Sequence, residues 1–453
     1  MRVDLLGTGS ADGWPNPFCS CASCNSARGE GEIRGQTGVL VDGELLIDCG
    51  PEIPRAAERF GIPLQAVRIA LFTHAHPDHV GPAALLFRHW AGRAEPLHIV
   101  GPPAAIAVCQ PWIAPSDPVT MHAVAAGEVL DVLGYRIRVV AANHDGPDIG
   151  PAVLYDVTTP KQDRLFYASD TGPLPHSSYE QLAGAQFDVV LLELTFGPNL
   201  EHDTDHLDFR TFPEVLATLR DVGAVSPHTQ VAAIHLSDHN GSNASLRAQL
   251  AAWNVALYSD GAHIQSDDRD AGERRARTLP QRTLILGGAR SGKSVHAERM
   301  LAAEPQVTYV ATSVESQEDT EWQQRIDAHR ARRPARWETI ETSDLVGVLE
   351  KSDEQSVLLI DCLTVWLARV LDETDAWAGD LSLANARLDE LVTAWRSTSA
   401  RVVAVTNEVG AGIVPDTESG RLFRDIHGRL NARLAAESER ALLVVAGRVI
   451  DLP

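Results

Sequence analysis

Four residues with side chains suited to metal chemistry fall within six positions of one another. Residues 73–79 read THAHPDH and directly follow the apolar run 70–72, which predicts a strand that ends at the motif. Because alternate residues of an extended segment point to the same side, His74 and His76 can bind one metal ion while Asp78 and His79 bind a second. Isolated histidines usually pack or face solvent, but this density of ligands favours a two-metal site.

A second motif has the residues needed to hold a nucleoside triphosphate. Residues 287–294 read GGARSGKS, after the apolar run 283–286 and before a helical stretch. In this context glycines let the backbone wrap around phosphates, the lysine contacts the β and γ phosphates, and the serine hydroxyl binds Mg²⁺. The pattern predicts an ATP or GTP site with Mg²⁺, formed by Gly287, Gly288, Ala289, Arg290, Ser291, Gly292, Lys293 and Ser294.

Asp361 ends the apolar run 357–360 and has two interpretations. A carboxylate at the end of a strand can hold Mg²⁺, directly or through water. It can equally cap the helix that follows. Spacing alone leaves both open.

The elements around these motifs divide the chain into two domains. Residues 1–265 alternate short apolar runs with turn-rich loops, which indicates many strands with interleaved helices. Residues 266–281 are charged, lack apolar periodicity and contain Pro280, so we predict a linker there. In residues 282–453, apolar strands alternate with helical stretches, which predicts a mainly parallel sheet covered on both faces.

Composition limits the classes of partner. The chain has 453 residues, 44% hydrophobic and 22% charged, which is typical of globular domains. The net charge of −22 argues against nucleic-acid binding, because that needs a positive surface. Since no apolar run approaches the roughly 20 residues of a membrane helix, and Met1 leads directly into a strand-like run, we expect no membrane span, no signal peptide and a cytoplasmic protein.

Nearly all of residues 282–453 resembles the bifunctional adenosylcobinamide kinase/adenosylcobinamide-phosphate guanylyltransferase family. The resemblance extends over five segments in order: GGARSGKS (287–294), YVATS (309–313), RIDAHRARRPARW (325–337), LLIDCLTVWL (358–367) and VTNEVGAGIVPDTESGRLFRDIHGRLNARLA (405–435). It implies a P-loop NTPase fold. It also implies phosphoryl transfer from ATP or GTP to adenosylcobinamide, followed by transfer of GMP from GTP, through a histidine, to give adenosylcobinamide-GDP.

The same resemblance assigns roles to residues beyond the P-loop. His329 is the histidine that carries GMP, because a neutral imidazole is a good nucleophile near neutral pH. Arg330 and Arg333 neutralise phosphate charge, with a solvated basic helix face as the alternative. Further nucleotide contacts come from Ala311, Thr312, Ser313, Glu341 and Asp361. The family also suggests a homotrimer. A general nucleotide kinase is the alternative function, against which His329 and the long 405–435 segment weigh.

Residues 1–265 resemble the metallo-β-lactamase fold, an αββα arrangement. The matching pieces besides the histidine motif are LLGTGSA (5–11), LLIDCG (45–50), YASDTG (167–172) and AIHLSDH (233–239). The pieces LELTF (192–196) and HLDF (206–209), with the cysteine-rich start, are most similar to the phosphodiesterase branch related to cyclic-phosphate hydrolases and tRNase Z. The implied activity is hydrolysis of a phosphate ester that the sequence does not identify. A non-catalytic metal-binding scaffold is the alternative.

The resemblance implies two catalytic metals, Zn²⁺ or Mn²⁺, with a shared aspartate. One metal takes His74, His76, His144 and Asp170, and the other takes Asp78, His79, Asp170 and His235. His206 would protonate the leaving oxygen, with a surface loop histidine as the alternative interpretation.

A third metal site is implied by three cysteines near the N-terminus. Cys19, Cys21 and Cys24 resemble the thiolates of a structural Zn²⁺ site, in which a histidine is the fourth ligand. Asp238 stands where that histidine is expected and His239 follows it, so either residue is a candidate.

Overall fold

The computed structural model describes residues 1–267, 279–312, 333–377 and 380–453. The chain forms two compact units, Met1–Arg277 and Thr278–Pro453. No helix within the described residues is both long and apolar enough to cross a bilayer.

The N-terminal unit contains two sheets. The strands of the first are β1 Arg2–Gly7, β2 Gly38–Val41, β3 Leu45–Ile47, β4 Ile69–Leu71, β5 Leu97–Gly101, β6 Val119–Ala123 and β13 His263–Gln265. The strands of the second are β7 Val129–Val132, β8 Tyr135–Ala141, β9 Val153–Thr158, β10 Arg164–Ala168, β11 Val189–Glu193 and β12 Gln230–Ile234. Their orders are β13-β1-β2-β3-β4-β5-β6 and β12-β11-β10-β9-β8-β7.

Helices connect these strands. They are α1 Ala22–Glu30, α2 Ile53–Phe60, α3 Ala83–Trp90, α4 Pro103–Cys109, α5 His176–Leu182, α6 Thr211–Asp221 and α7 Asn243–Ala252, with 3₁₀ turns at Gln110–Trp112 and Asp238–Asn240.

One hydrophobic core lies between the two sheets. Side chains at alternate positions of both sheets, such as Leu5 and Val41 of the first and Val139 and Leu191 of the second, belong to this core. A separate core joins the other face of the first sheet to α2 and α4, and α5 contacts β8 of the second sheet. The layers therefore follow the predicted helix–sheet–sheet–helix order.

The C-terminal unit is built on one sheet. Its strands are β14 Arg282–Gly287, β15 Thr308–Ala311, β16 Glu338–Glu341, β17 Val357–Asp361, β18 Arg401–Asn407, β19 Arg440–Val445 and β20 Arg448–Leu452. The described helices are α8 Lys293–Leu301, α9 Leu345–Lys351, α10 Leu363–Glu373, α11 Ser382–Ser397 and α12 Glu418–Ala436.

The strand order is β16-β15-β17-β18-β14-β19-β20, and every neighbouring pair is parallel except β19 with β20. The predicted, mainly parallel sheet is confirmed. In α11, Leu388, Leu391, Val392 and Trp395 form a buried face, as their helical spacing predicts. Because the strands are parallel, their carboxyl ends meet at one edge, where α/β proteins bind ligands.

Candidate active sites

The first predicted ligand set converges at the ends of strands in the N-terminal unit. His76 Nδ1 lies 2.8 Å from His74 Nε2 and 3.3 Å from His144 Nε2. Asp170 Oδ2 lies 3.6 Å from His74 Nε2 and 4.0 Å from His144 Nε2. The three nitrogens and one carboxylate oxygen therefore surround a common point, and together they could hold a metal ion.

The second set converges on the other oxygen of the same aspartate. Asp170 Oδ1 lies 3.2 Å from His79 Nε2 and 3.0 Å from His235 Nε2. Asp78 Oδ2 lies 3.0 Å and 3.7 Å from the same two nitrogens. Asp170 thus presents one oxygen to each set, which is the arrangement of a bridging ligand.

Two buried atoms show that these residues suit metal ions. The Nε2 atoms of His79 and His235 are inaccessible and make no hydrogen bond in the described part of the chain, although carboxylate oxygens surround them. Buried polar atoms are normally satisfied, so an ion between these groups explains their geometry. Asp170 and His235 also have positive φ angles of 47° and 54°, and such backbone strain is usually stored at functional sites.

The Nδ1 atoms of His79 and His235, which face away from the ligand sets, have hydrogen-bonding partners. Asp48 Oδ2 lies 2.8 Å from His79 Nδ1, and Thr195 Oγ1 lies 2.9 Å from His235 Nδ1. Such partners fix the tautomer and aim Nε2 at the metal. Asp48 and Thr195 lie in the segments 45–50 and 192–196, and nothing in those segments predicts this role.

The electrostatics of the two ligand sets also favour cations. Burial raises the pKa of Asp170, but neighbouring His235 and His79 lower it well below its usual range. For His235, burial lowers the pKa, and Asp170 reverses this and raises it to about 10. The carboxylates therefore stay ionised and attract positive charge. Protons on the neighbouring histidines supply this charge, and metal ions that bind here would displace those protons.

His206 lies beside the two ligand sets, inside a cavity of about 390 Å³ that His76, Asp78, Asp170 and His235 also line. Its Nδ1 lies 2.9 Å from Oε1 of the fully buried Glu193. Burial lowers the pKa of His206, whereas the charge and hydrogen bond of Glu193 raise it above its usual value. The surface-loop interpretation of His206 is therefore wrong, since the ring is largely buried and faces the site.

The three cysteines gather around one carboxylate oxygen. Asp238 Oδ2 lies 3.3 Å from the sulfurs of Cys19 and Cys21 and 3.5 Å from that of Cys24. His239 is not part of this group: its side chain is exposed, and its ring lies 5.1 Å from that of Phe196. The structure therefore favours Asp238 over His239 as the fourth ligand, because only Asp238 reaches all three sulfurs.

The glycine-rich loop of the C-terminal unit joins β14 to α8. Gly292 and Arg290 have positive φ angles of 96° and 57°, which turn the backbone into the helix that starts at Lys293. Lys293 Nζ donates to the carbonyl of Gly288 at 3.1 Å, so the lysine folds back over the loop. The N-terminus of a helix that starts here favours phosphate.

Other predicted nucleotide contacts lie at the same sheet edge. Ala311 pairs in register with both Glu341 and Asp361, at the carboxyl ends of three adjacent strands. Thr312 Oγ1 donates to the carbonyl of Cys362 at 2.8 Å, which ties β15 to the start of α10. Glu341 is exposed.

Asp361 does not cap α10. The N-cap position is Cys362, and its side chain makes no capping hydrogen bond. The carboxylate of Asp361 instead accepts a hydrogen bond from the Tyr309 hydroxyl at 3.0 Å. The capping interpretation is therefore wrong, and metal binding by Asp361 stays a prediction.

Arg333 lies against Tyr309, the residue whose hydroxyl is bonded to Asp361. Its guanidinium carbon lies 3.7 Å from the centroid of the Tyr309 ring, and Nη1 donates to Thr339 Oγ1 at 3.1 Å. These contacts differ from those of a solvated basic helix face. Ser313, His329 and Arg330 lie outside the described residues, so their predicted roles stay predictions.

The class of each unit follows from comparison with known proteins. Residues 44–236 match the Beta-lactamase superfamily domain, and residues 283–452 match Cobinamide kinase / cobinamide phosphate guanyltransferase. The N-terminal unit has the metallo-β-lactamase fold, and through its C-terminal unit the chain belongs to the cobinamide kinase/cobinamide phosphate guanyltransferase family.

Individual relatives match one unit or the other. The Bifunctional adenosylcobalamin biosynthesis protein CobU of Escherichia coli is 41% identical over 175 residues, 36% of this chain and 95% of that protein. Ribonuclease Z of Myxococcus xanthus is 32% identical over 119 residues, 25% of this chain and 38% of that protein. The crystal structure of Zn²⁺-bound PqqB from Methylobacterium extorquens matches with 18% identity and a TM-score of 0.48, covering 58% of this chain and all of that one.

Proposed function

We propose that the C-terminal unit is an adenosylcobinamide kinase and adenosylcobinamide-phosphate guanylyltransferase. The observation that carries this proposal is the 41% identity to the CobU protein of Escherichia coli across 95% of its length. The geometry of the P-loop is consistent with it, because the loop, Lys293 and Asp361 lie at one sheet edge.

Two reactions would use this edge. In the first, the P-loop and Lys293 hold ATP or GTP, Ser294 and Asp361 hold Mg²⁺, and the terminal phosphate passes to the hydroxyl of adenosylcobinamide. In the second, His329 attacks the α-phosphate of GTP and releases pyrophosphate, and the GMP then passes to the cobinamide phosphate. Dividing the second reaction through a histidine replaces one difficult displacement by two easier ones.

The experiment is labelling of the intact protein with α-labelled GTP and Mg²⁺. We expect an acid-labile, alkali-stable adduct that His329→Ala abolishes and that His176→Ala, which changes an exposed histidine, leaves intact. An adduct that persists in His329→Ala would refute the assignment of the nucleophile. Transfer of phosphate to nucleoside monophosphates, without an adduct, would favour a general nucleotide kinase. The homotrimer remains a prediction, to be tested by the mass of the protein in solution.

We also propose that the N-terminal unit is a metal-dependent phosphoesterase. The observation that carries this proposal is the convergence of two four-residue ligand sets on the two oxygens of Asp170. Two divalent ions, Zn²⁺ or Mn²⁺, held there would activate water and neutralise charge on the phosphate. His206, held by Glu193, would donate a proton to the leaving oxygen.

The test is hydrolysis of bis(p-nitrophenyl) phosphate and of a cyclic phosphate by the intact protein, with metal content measured in parallel. We expect activity that Asp78→Ala removes and that Asp148→Ala, which changes an exposed carboxylate of the same unit, retains. Full metal occupancy with no hydrolysis of any phosphoester would support the scaffold alternative.

A further inference from the structure

Glu408 stands next to the phosphate-binding loop, at the edge where the proposed transfer takes place. It follows the last residue of β18, Asn407, which pairs in register with Gly287 at the start of the loop. The amide of Glu408 donates to the carbonyl of Gly287 at 3.1 Å. The residue is therefore hydrogen-bonded to the loop proposed to hold the nucleotide.

The backbone that precedes Glu408 is fixed from two sides. The amide of Asn407 donates to Thr364 Oγ1 at 2.7 Å, and its carbonyl accepts from Asn431 Nδ2 at 3.0 Å. Both partners belong to a buried network, in which Thr406 Oγ1 donates to Asn431 Oδ1 at 2.8 Å and His427 Nε2 lies 3.1 Å from Thr364 Oγ1. A buried network with satisfied partners holds a position rigidly, which suits a reactive group.

The two carboxylate oxygens of Glu408 differ in their hydrogen bonding. Its Oε1 accepts a hydrogen bond from the amide of Gly410 at 2.7 Å. Its Oε2 has no hydrogen-bond partner in the described part of the chain, and the residue is half-buried. The loop that follows is braced by α12, from which Arg424 donates to the carbonyl of Gly412 at 3.2 Å and Arg421 to that of Asp416 at 2.8 Å.

The two proposed reactions differ in what they require from such a carboxylate. An alcohol acceptor must lose its proton as it attacks phosphorus. A phosphate monoester, with a second pKa of about 6, is already ionised at pH 8 and needs no base. The other carboxylate at this edge with a proposed role, Asp361, is bonded to Tyr309 and assigned to Mg²⁺.

We propose that Glu408 is the general base of the kinase reaction and has no such role in guanylyl transfer. This inference rests on the proposed function of the C-terminal unit. The acceptor oxygen forms a bond to the γ-phosphorus while its proton passes to Oε2 of Glu408. The bond from the γ-phosphorus to the β–γ bridging oxygen breaks, and its electron pair leaves with the nucleoside diphosphate.

The test compares both reactions in the full-length protein carrying Glu408→Gln. With ATP, Mg²⁺ and adenosylcobinamide, we expect kcat for phosphorylation to fall by about 10²- to 10³-fold. With GTP and chemically supplied adenosylcobinamide phosphate, we expect guanylyl transfer to stay within about threefold of the unsubstituted protein, because this acceptor needs no base. Glu408→Asp should recover part of the kinase activity, and Glu350→Gln, at an exposed position of the same unit, should change neither reaction.

Other outcomes overturn the inference. Equal losses in both reactions would mean that Glu408 acts on the nucleotide or on the fold, and an undiminished kinase reaction would mean that it does not act as a base. If the unsubstituted protein does not phosphorylate adenosylcobinamide at all, the proposed function fails instead. The two failures are therefore distinguishable.

Discussion

The two units differ in what can be established for each, the residues of the active site or the family and its substrate. In the N-terminal unit, all seven predicted catalytic ligands lie within the described residues and six of them surround the seventh, Asp170, whereas the substrate is not identified. In the C-terminal unit, the family is clear and the phosphate loop is formed, whereas His329 lies outside the described residues. The ligands of a metal centre can be recognised from their own chemistry, whereas a substrate is recognised only where a close relative names it, as for the C-terminal unit.

Removal of the shared ligand should have the largest effect, and only on the N-terminal unit. Asp170→Asn takes a charged oxygen from both ligand sets, so we expect phosphodiester hydrolysis to fall by at least about 10³-fold. Elemental analysis should show loss of the two catalytic metals. Formation of the labelled guanylyl adduct should be unchanged, and a parallel loss of that adduct would contradict the separation of the two activities.

Replacement of the P-loop lysine should have the opposite pattern. Lys293→Ala removes the side-chain charge predicted to contact the β and γ phosphates, so we expect both transferase reactions to fall by about 10²- to 10³-fold. Hydrolysis by the N-terminal unit should stay within about twofold. Lys351→Ala, which changes the other lysine of the C-terminal unit, is the matched control. A comparable loss in that variant would indicate a general effect of charge.

Periodicity predicted the mainly parallel sheet of the C-terminal unit because its buried faces repeat regularly, whereas the αββα arrangement of the N-terminal unit was implied by its resemblance to the metallo-β-lactamase fold. The alternating strands of the C-terminal unit, and the buried face of α11, follow from the spacing of apolar residues alone. Groups that act through other residues were not predicted. Asp48, Thr195 and Glu193 lie between apolar residues in the sequence, and only the fold shows that each one reaches a histidine of the site.

One of those unpredicted groups gives a smaller expected effect. Asp48→Asn weakens the hydrogen bond that orients His79, so we expect metal affinity to fall by about 10- to 100-fold. The measurement is hydrolysis as a function of added metal, and excess metal should restore most of kcat. Asp131→Asn, at an exposed position, is the control. A loss of kcat that excess metal cannot restore would mean that Asp48 takes part in the reaction itself.

The cysteine site shows why its fourth ligand could not be identified from the sequence. Asp238 and His239 are adjacent and both can bind Zn²⁺, so the spacing of the residues does not show which of them is the ligand. The 3₁₀ turn at Asp238–Asn240 directs the carboxylate toward the sulfurs and leaves His239 exposed.

The smallest predicted effect concerns this site, which lies outside both sets of catalytic ligands. Cys21→Ser replaces a thiolate with a hydroxyl, a poorer ligand for Zn²⁺, so we expect one fewer equivalent of Zn²⁺ in the purified protein. Because the metal would join α1 to the turn at Asp238, its loss should lower the melting temperature of the N-terminal unit by roughly 2–8 °C, about 1–2 kcal/mol. Asp238→Ala should have the same consequence and His239→Ala should not, while Ser20→Ala, at an exposed neighbouring position, controls for the loop. If His239→Ala rather than Asp238→Ala loses the metal, the ligand assignment is reversed, and the bound state must rearrange the turn that the structure shows.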